Sequence, residues 1–159
     1  MAPVAPFADR HGWRLYGAGA FLETLSALEA EVERLAAANP AGVAATPKAE
    51  LLARIRMLIA DEIPRAPNAP AYAPGNTLGP AHRHWRRAKF LQRFRLFYRF
   101  DSASRIIIYA WVNDETALRK AGARSDPYAV FARRLDASDP PDDWTDLLAQ
   151  ARGGEAPRT

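Results

Sequence analysis

The chain has 159 residues, 48% of them hydrophobic, with four tryptophans and a net charge of +4, enough to bury the core of one ordinary domain. It contains no cysteine, which excludes disulfides, thiolate catalysis and cysteine-ligated metal centres. Residues 1–10 lack the apolar stretch of a signal peptide, and Ile106–Val112 is far shorter than the about 20 residues that cross a bilayer, so a cytoplasmic protein is expected.

Trp13-Arg14-Leu15-Tyr16 reads as a short strand or extended entry segment. Phe21, Leu22, Leu25, Leu28, Val32 and Leu35 then recur at helical spacing, and Asn39-Pro40-Ala41-Gly42 breaks that helix. A second helix is predicted from about Lys48 to Asp61, with Leu51, Leu52, Ile55, Leu58 and Ile59 inward, the two forming a helical hairpin. Pro64 to Pro80 holds five prolines and two glycines and reads as a long loop. Three strands follow, over His84–Phe90, Arg93–Phe100 and Arg105–Val112, the last two joined by the hairpin loop Asp101-Ser102-Ala103-Ser104. Alternation along Arg93–Phe100 sends Phe94, Leu96, Tyr98 and Phe100 to the core, with Arg93, Arg95, Phe97 and Arg99 forming an exposed row on the other face. Ile106-Ile107-Ile108 suits a central strand buried on both sides.

Asp126-Pro127 combines a capping acid with proline at the first helical position, and Tyr128, Phe131 and Leu135 fall on one side of that helix. After Asp139-Pro140-Pro141-Asp142, the residues Trp144, Leu147 and Leu148 predict a last short helix docked by its tryptophan. The fold class is α+β, with residues 1–151 as a single domain and residues 152–159 as a disordered tail.

Charge distribution directs attention to one region. Between Glu62 and Asp101 there is no acid, yet Arg65, Arg83, Arg86, Arg87, Lys89, Arg93, Arg95 and Arg99 all fall there, a pattern suited to a polyanion. Aromatic residues interleaved with the cations suit RNA, whose bases stack on rings and guanidinium planes. Cleavage by attack of a 2′-OH on the adjacent phosphate needs a proton acceptor, a proton donor and cations at the phosphate, all available here. His82 and His84 carry arginine neighbours that oppose a divalent cation, so no metal site is expected.

Gln92 to Phe100, a short turn, and Ile106 to Glu115 together resemble the signature core of the YhaV family of toxins. Gly75-Asn76-Thr77-Leu78-Gly79-Pro80 with His84-Trp85, Asp126-Pro127-Tyr128-Ala129-Val130-Phe131 and Pro140-Pro141-Asp142-Asp143-Trp144 extend the likeness from about Gly12 to Ala151. More distantly the chain resembles RelE-like toxins, which implies two N-terminal helices on a twisted antiparallel sheet with C-terminal helices.

The resemblance implies a type II toxin: an endoribonuclease acting on mRNA, ribosome-associated and needing no metal or other cofactor. It also implies inhibition by a PrlF-type, AbrB-like antitoxin. By the same resemblance Arg95 contacts the scissile phosphate, Arg87 and Lys89 form a basic pair on the preceding strand, and Tyr128 stacks a base or moves a proton. Asn113-Asp114 stands where many RelE-like toxins have arginine or histidine, so the acid or base is sought elsewhere, with His84 or His82 as candidates. Arg86, Arg93, Arg99, His82 and Asn113 complete the expected RNA-binding set. Plainer readings stand beside these: His84 facing solvent, Lys89 on a solvated strand edge, Arg95 and Arg99 in salt bridges, Asp114 as a helix cap, Tyr98 and Trp111 in the core. A non-catalytic RNA- or ribosome-binding module, or an inactivated toxin fold, would use the same face.

Overall fold

The computed structural model describes residues 6–113 and 126–153. Its described residues form a five-stranded sheet in the order β1-β2-β5-β4-β3, where β1 is Ala8–Arg10, β2 Trp13–Gly17, β3 Arg86–Phe90, β4 Phe94–Asp101 and β5 Ile106–Val112. Helices lie on both faces, so the layers run helix, sheet, helix. The α+β class is as expected, but the sheet is mixed rather than antiparallel. β2 runs parallel to β5, with Leu15 opposite Ile107, while the other three pairings are antiparallel.

β5 is central and all seven of its residues are buried, as expected of an isoleucine run with apolar cover on both sides. On one face α1 (Gly19–Ala38) and α2 (Pro47–Met57) lay Phe21, Leu28, Leu52 and Ile55 over Leu96, Tyr98, Ile107 and Tyr109. Thr46 caps α2, accepting a bond from the Ala49 N–H at 3.3 Å, with Pro47 at the first helical position. The helix continues through a π-helical stretch (Leu58–Glu62) into the short α3 (Ile63–Arg65), beyond the predicted end at Asp61. The Tyr109 hydroxyl donates to the Ile59 carbonyl at 2.8 Å in that stretch, joining it to the centre of the sheet. Gly17 makes room for α1, since a Cβ there would lie 2.7 Å from Leu22 Cδ2.

α4 (Pro127–Asp136) and α5 (Trp144–Ala151) cover the opposite face. Phe131 stacks on Phe97 with ring centroids 4.2 Å apart, and Trp111 lies 5.9 Å from Phe131. A bulge brings Trp111 into this stack. Phe97 pairs with Trp111 and Tyr98 with Tyr109, leaving Ala110 as the extra residue on β5. α5 is anchored by Leu147, which is fully buried, whereas Trp144 is only half-buried.

Three other expectations change. β3 begins at Arg86, so His84 and Trp85 lie in the preceding turn rather than in a strand. The long loop after α3 contains short 3-10 turns at Pro70–Tyr72 and Pro80–His82 and is pinned to the sheet by the Tyr98 hydroxyl, 2.6 Å from the Pro67 carbonyl. The row Arg95, Phe97 and Arg99 is not open to solvent: Phe97 is fully buried and Arg95 is 7% exposed, because α4 covers them. Asp114 and most of the predicted tail lie outside the described residues.

Candidate active site

The N-terminus of α4 places Tyr128 over β3 and β4. Asp126 accepts the Tyr128 N–H at 3.1 Å, and Pro127 starts the helix. The edge-to-face contact of Tyr128 with Phe97, at 5.7 Å, fixes the ring against the sheet. Its hydroxyl oxygen then accepts two bonds, from Arg87 Nε at 2.8 Å and from Arg95 Nε at 3.1 Å. Arg87 also donates to the Ala71 carbonyl, while Arg95 Nη1 donates to the carbonyls of Gln92 and Phe94 at 3.0 and 2.9 Å.

Among the described residues these guanidiniums therefore meet neutral oxygens and no carboxylate. Their two Nε atoms share one acceptor and are no more than about 6 Å apart. At an effective dielectric constant of about 20, two positive charges at that separation repel by about 3 kcal/mol. Such a pair is poised for an anion, which would turn repulsion into attraction.

Local backbone helps hold Arg95. Leu91 and Gln92 both adopt left-handed conformations, with φ of 45° and 67°, so the β3–β4 turn presents the Gln92 carbonyl to the guanidinium. From β5, Asn113 accepts the Arg95 N–H at 2.7 Å and donates to the Arg93 carbonyl at 3.1 Å. At 1% exposure Asn113 is buried and braces the end of β4 rather than lining its surface.

Along the same face of β4 lies a second cluster. Arg99 stands four residues from Arg95, about 13 Å along the strand. Its guanidinium sits 5.6 Å from the Trp85 ring centroid and 5.5 Å from that of Trp144, and donates to the Asp142 carbonyl at 2.6 Å. Burial draws the Arg99 pKa down, opposed by the charges of Asp142 and Asp143. The Asp142 carboxylate in turn accepts from Trp85 Nε1 at 2.7 Å and meets His84 Nε2 at 3.0 Å and His82 Nδ1 at 3.2 Å. Partial burial works against its charged form, but the Trp85 bond and the two imidazoles prevail and hold the carboxyl below its usual value.

Of the sequence-predicted residues, Arg87, Arg95 and Tyr128 converge on one oxygen. Lys89 is exposed, directly cross-strand from Arg95 and on the same face. His82, His84 and Arg99 gather at the other end of the strip. Arg93 is exposed in the β3–β4 turn. Arg86 points to the opposite face of the sheet, over Phe100 and bonded to Asn68 at 2.8 Å. Asp142 was missed because its partners lie 57 to 60 positions away; the Pro140-Pro141-Asp142 break gave no hint of them. Among the described residues no three histidines or carboxylates converge as metal ligands, and no helix is long and apolar enough to cross a membrane.

Residues 15–152 match the family model described as a toxin with endonuclease activity, of a toxin–antitoxin system. That model covers most of the chain and includes every element of both clusters. The chain belongs to the YhaV toxin family. It is 39% identical over 142 residues to the ribonuclease toxin YhaV of Escherichia coli K12 and to toxin YhaV of E. coli O6:H1, spanning 88% of this chain and 92% of each relative. No solved structure gives a significant match.

Proposed function

We propose that the protein is a metal-independent endoribonuclease that cuts mRNA on the ribosome, arresting translation and growth until a PrlF-type, AbrB-like antitoxin binds it. The observation that carries this reading is the Tyr128 hydroxyl held between two guanidiniums that meet no carboxylate among the described residues. The name of the K12 relative, a ribonuclease toxin, supports RNA as the substrate. A cytoplasmic location follows from that substrate. A distant relation to RelE-like toxins is supported by the helices α1 and α2 lying together on one face of the sheet.

In this mechanism Arg87 and Arg95 bind the scissile phosphate and stabilise the charge that builds on its oxygens as the 2′-oxygen attacks phosphorus. Their two positive charges stand where a metal ion would otherwise act. The Tyr128 oxygen accepts bonds from both guanidiniums, whose positive charge favours release of its proton, and the Tyr128 O–H protonates the departing 5′-oxygen. Lys89 takes the 2′-OH proton, since it lies beside Arg95, whereas His84 lies at the Arg99 end with Asp142. The products are a 2′,3′-cyclic phosphate and a 5′-hydroxyl. His84, His82, Arg99 and Arg93 contact the flanking RNA.

Incubation with mRNA and ribosomes, followed by end mapping, tests the reading. Arg95→Ala is expected to abolish growth arrest while the protein still folds and binds its antitoxin, and excess EDTA to leave cleavage by the wild type unchanged. Binding without defined cleavage would leave a non-catalytic RNA- or ribosome-binding module, and a strict need for divalent metal would overturn the mechanism.

A further inference from the structure

We propose that the RNA path continues beyond Arg99, around the β4–β5 hairpin, into a groove on the opposite side of the sheet that grips single-stranded RNA flanking the cut. The inference rests on the cleavage reading above and assigns the groove a binding role, with no part in the chemistry. Arg99 and Phe100 are consecutive in β4 and face opposite sides of the sheet, so the groove begins one residue from the end of the strip already described. It has a volume of about 410 Å³ and lies between β2, the loop after α3 and the hairpin. That falls within the size range of small-molecule sites, about 300–1,000 Å³.

The chemistry of its walls is that of a nucleotide site. Arg105 has a left-handed backbone, φ 57°, which turns its guanidinium back over the Trp13 ring at 4.4 Å from the centroid. Trp13 itself is buried, packed edge-to-face on Phe100 at 5.8 Å, so the stacking surface offered to solvent is the outer face of exposed Arg105. Guanidinium planes of this kind stack bases.

Charge in the groove is balanced toward phosphate. His11 and Arg65 share the Asp61 carboxylate, each at 2.9 Å, and their two bonds hold that carboxyl below its usual value. The other nearby acid, Asp101, is turned into the hairpin, where it accepts from Ser104. Arg105 meets the Gly12 carbonyl at 3.3 Å and, among the described residues, no carboxylate. Behind the wall, Arg86 bonds Asn68 through Nη2, while its buried Nε has no hydrogen-bond partner among the described residues. The positive charge of Arg86 adds to the field behind the groove wall. Sequence reasoning placed Arg86 with the RNA-binding set, and this groove is the route by which it acts on RNA, through field rather than contact.

The test uses the full chain carrying Arg65→Glu with Ser102→Glu, both exposed positions that leave the core and both catalytic clusters intact. Fluorescence anisotropy is read with labelled, non-cleavable 2′-O-methyl oligonucleotides of about 4 and about 16 nucleotides, alongside single-turnover cleavage of RNAs of both lengths. The long oligonucleotide is expected to bind about tenfold more weakly, with its salt dependence reduced by about one to two phosphate contacts. Binding and cleavage of the short one should be unchanged. Equal losses at both lengths, or none at either, would overturn the proposal. So would intact RNA binding with weakened antitoxin binding, which would assign the groove to the protein partner. If the wild type cuts neither length, the cleavage reading fails, and the anisotropy comparison still decides whether the groove binds RNA.

Discussion

Replacing Tyr128 by phenylalanine removes one oxygen atom and keeps the ring that packs on Phe97. That oxygen accepts from Arg87 at 2.8 Å and Arg95 at 3.1 Å. Arg87 is half-buried and regains water, but Arg95 is 7% exposed, so its orphaned Nε costs about 1–3 kcal/mol. A domain stable by about 5–15 kcal/mol remains folded after that loss. Both guanidiniums persist, so affinity for a non-cleavable RNA should stay within a few-fold of wild type. The chemical step loses its proton donor, and single-turnover cleavage should fall by about 10²–10⁴-fold. Cleavage at the wild-type rate would refute the role of Tyr128. A rate loss no greater than the loss in RNA affinity would refute it as well, leaving the tyrosine as a binding group only.

Two other perturbations probe the framework around the site. Asn113→Ala leaves the buried Arg95 N–H unmatched and opens the part-buried Arg93 carbonyl to water, and should cost about 1–3 kcal/mol in urea unfolding; a change within about 0.5 kcal/mol would show that Asn113 does not brace β4. Asp142 has a folded-state pKa below its ordinary 3.8, so its stabilising effect is complete above that value and is lost as the pH falls from there through the folded pKa. Asp142→Asn should therefore flatten the acid end of the melting-temperature profile while lowering stability at neutral pH, and an acid limb identical to wild type would contradict the assignment.

Much of this arrangement can be read from residue order, and the parts that cannot have physical reasons. Parity along β4 is legible because side chains alternate, and the inward set of Phe94, Leu96, Tyr98 and Phe100 follows from it. Alternating arginine and phenylalanine also looks like a solvent face, and nothing local says that α4, some thirty residues on, will cover it. Arg95 tolerates that burial because carbonyls of its own turn and a distant phenol oxygen satisfy it. The turn itself was hidden, since Leu91 and Gln92 are not residues that normally signal left-handed backbone. Arg86 was placed in the RNA-binding set beside Arg87, yet adjacent strand positions must face opposite ways. The parallel β2–β5 pairing joins residues about ninety positions apart and leaves no periodic trace.

The same long-range pairing has a consequence for synthesis. β2 emerges early from the ribosome, but the strand it pairs with, β5, ends only at Val112, and Tyr128 comes later still. Until then the sheet lacks its middle strand and Arg95 lacks the oxygen that completes the pair. If the proposed cutting site is built this way, a nascent chain lacks it for most of translation. Fragments that stop before Tyr128 would lack that oxygen as well, a consequence of chain order and topology alone.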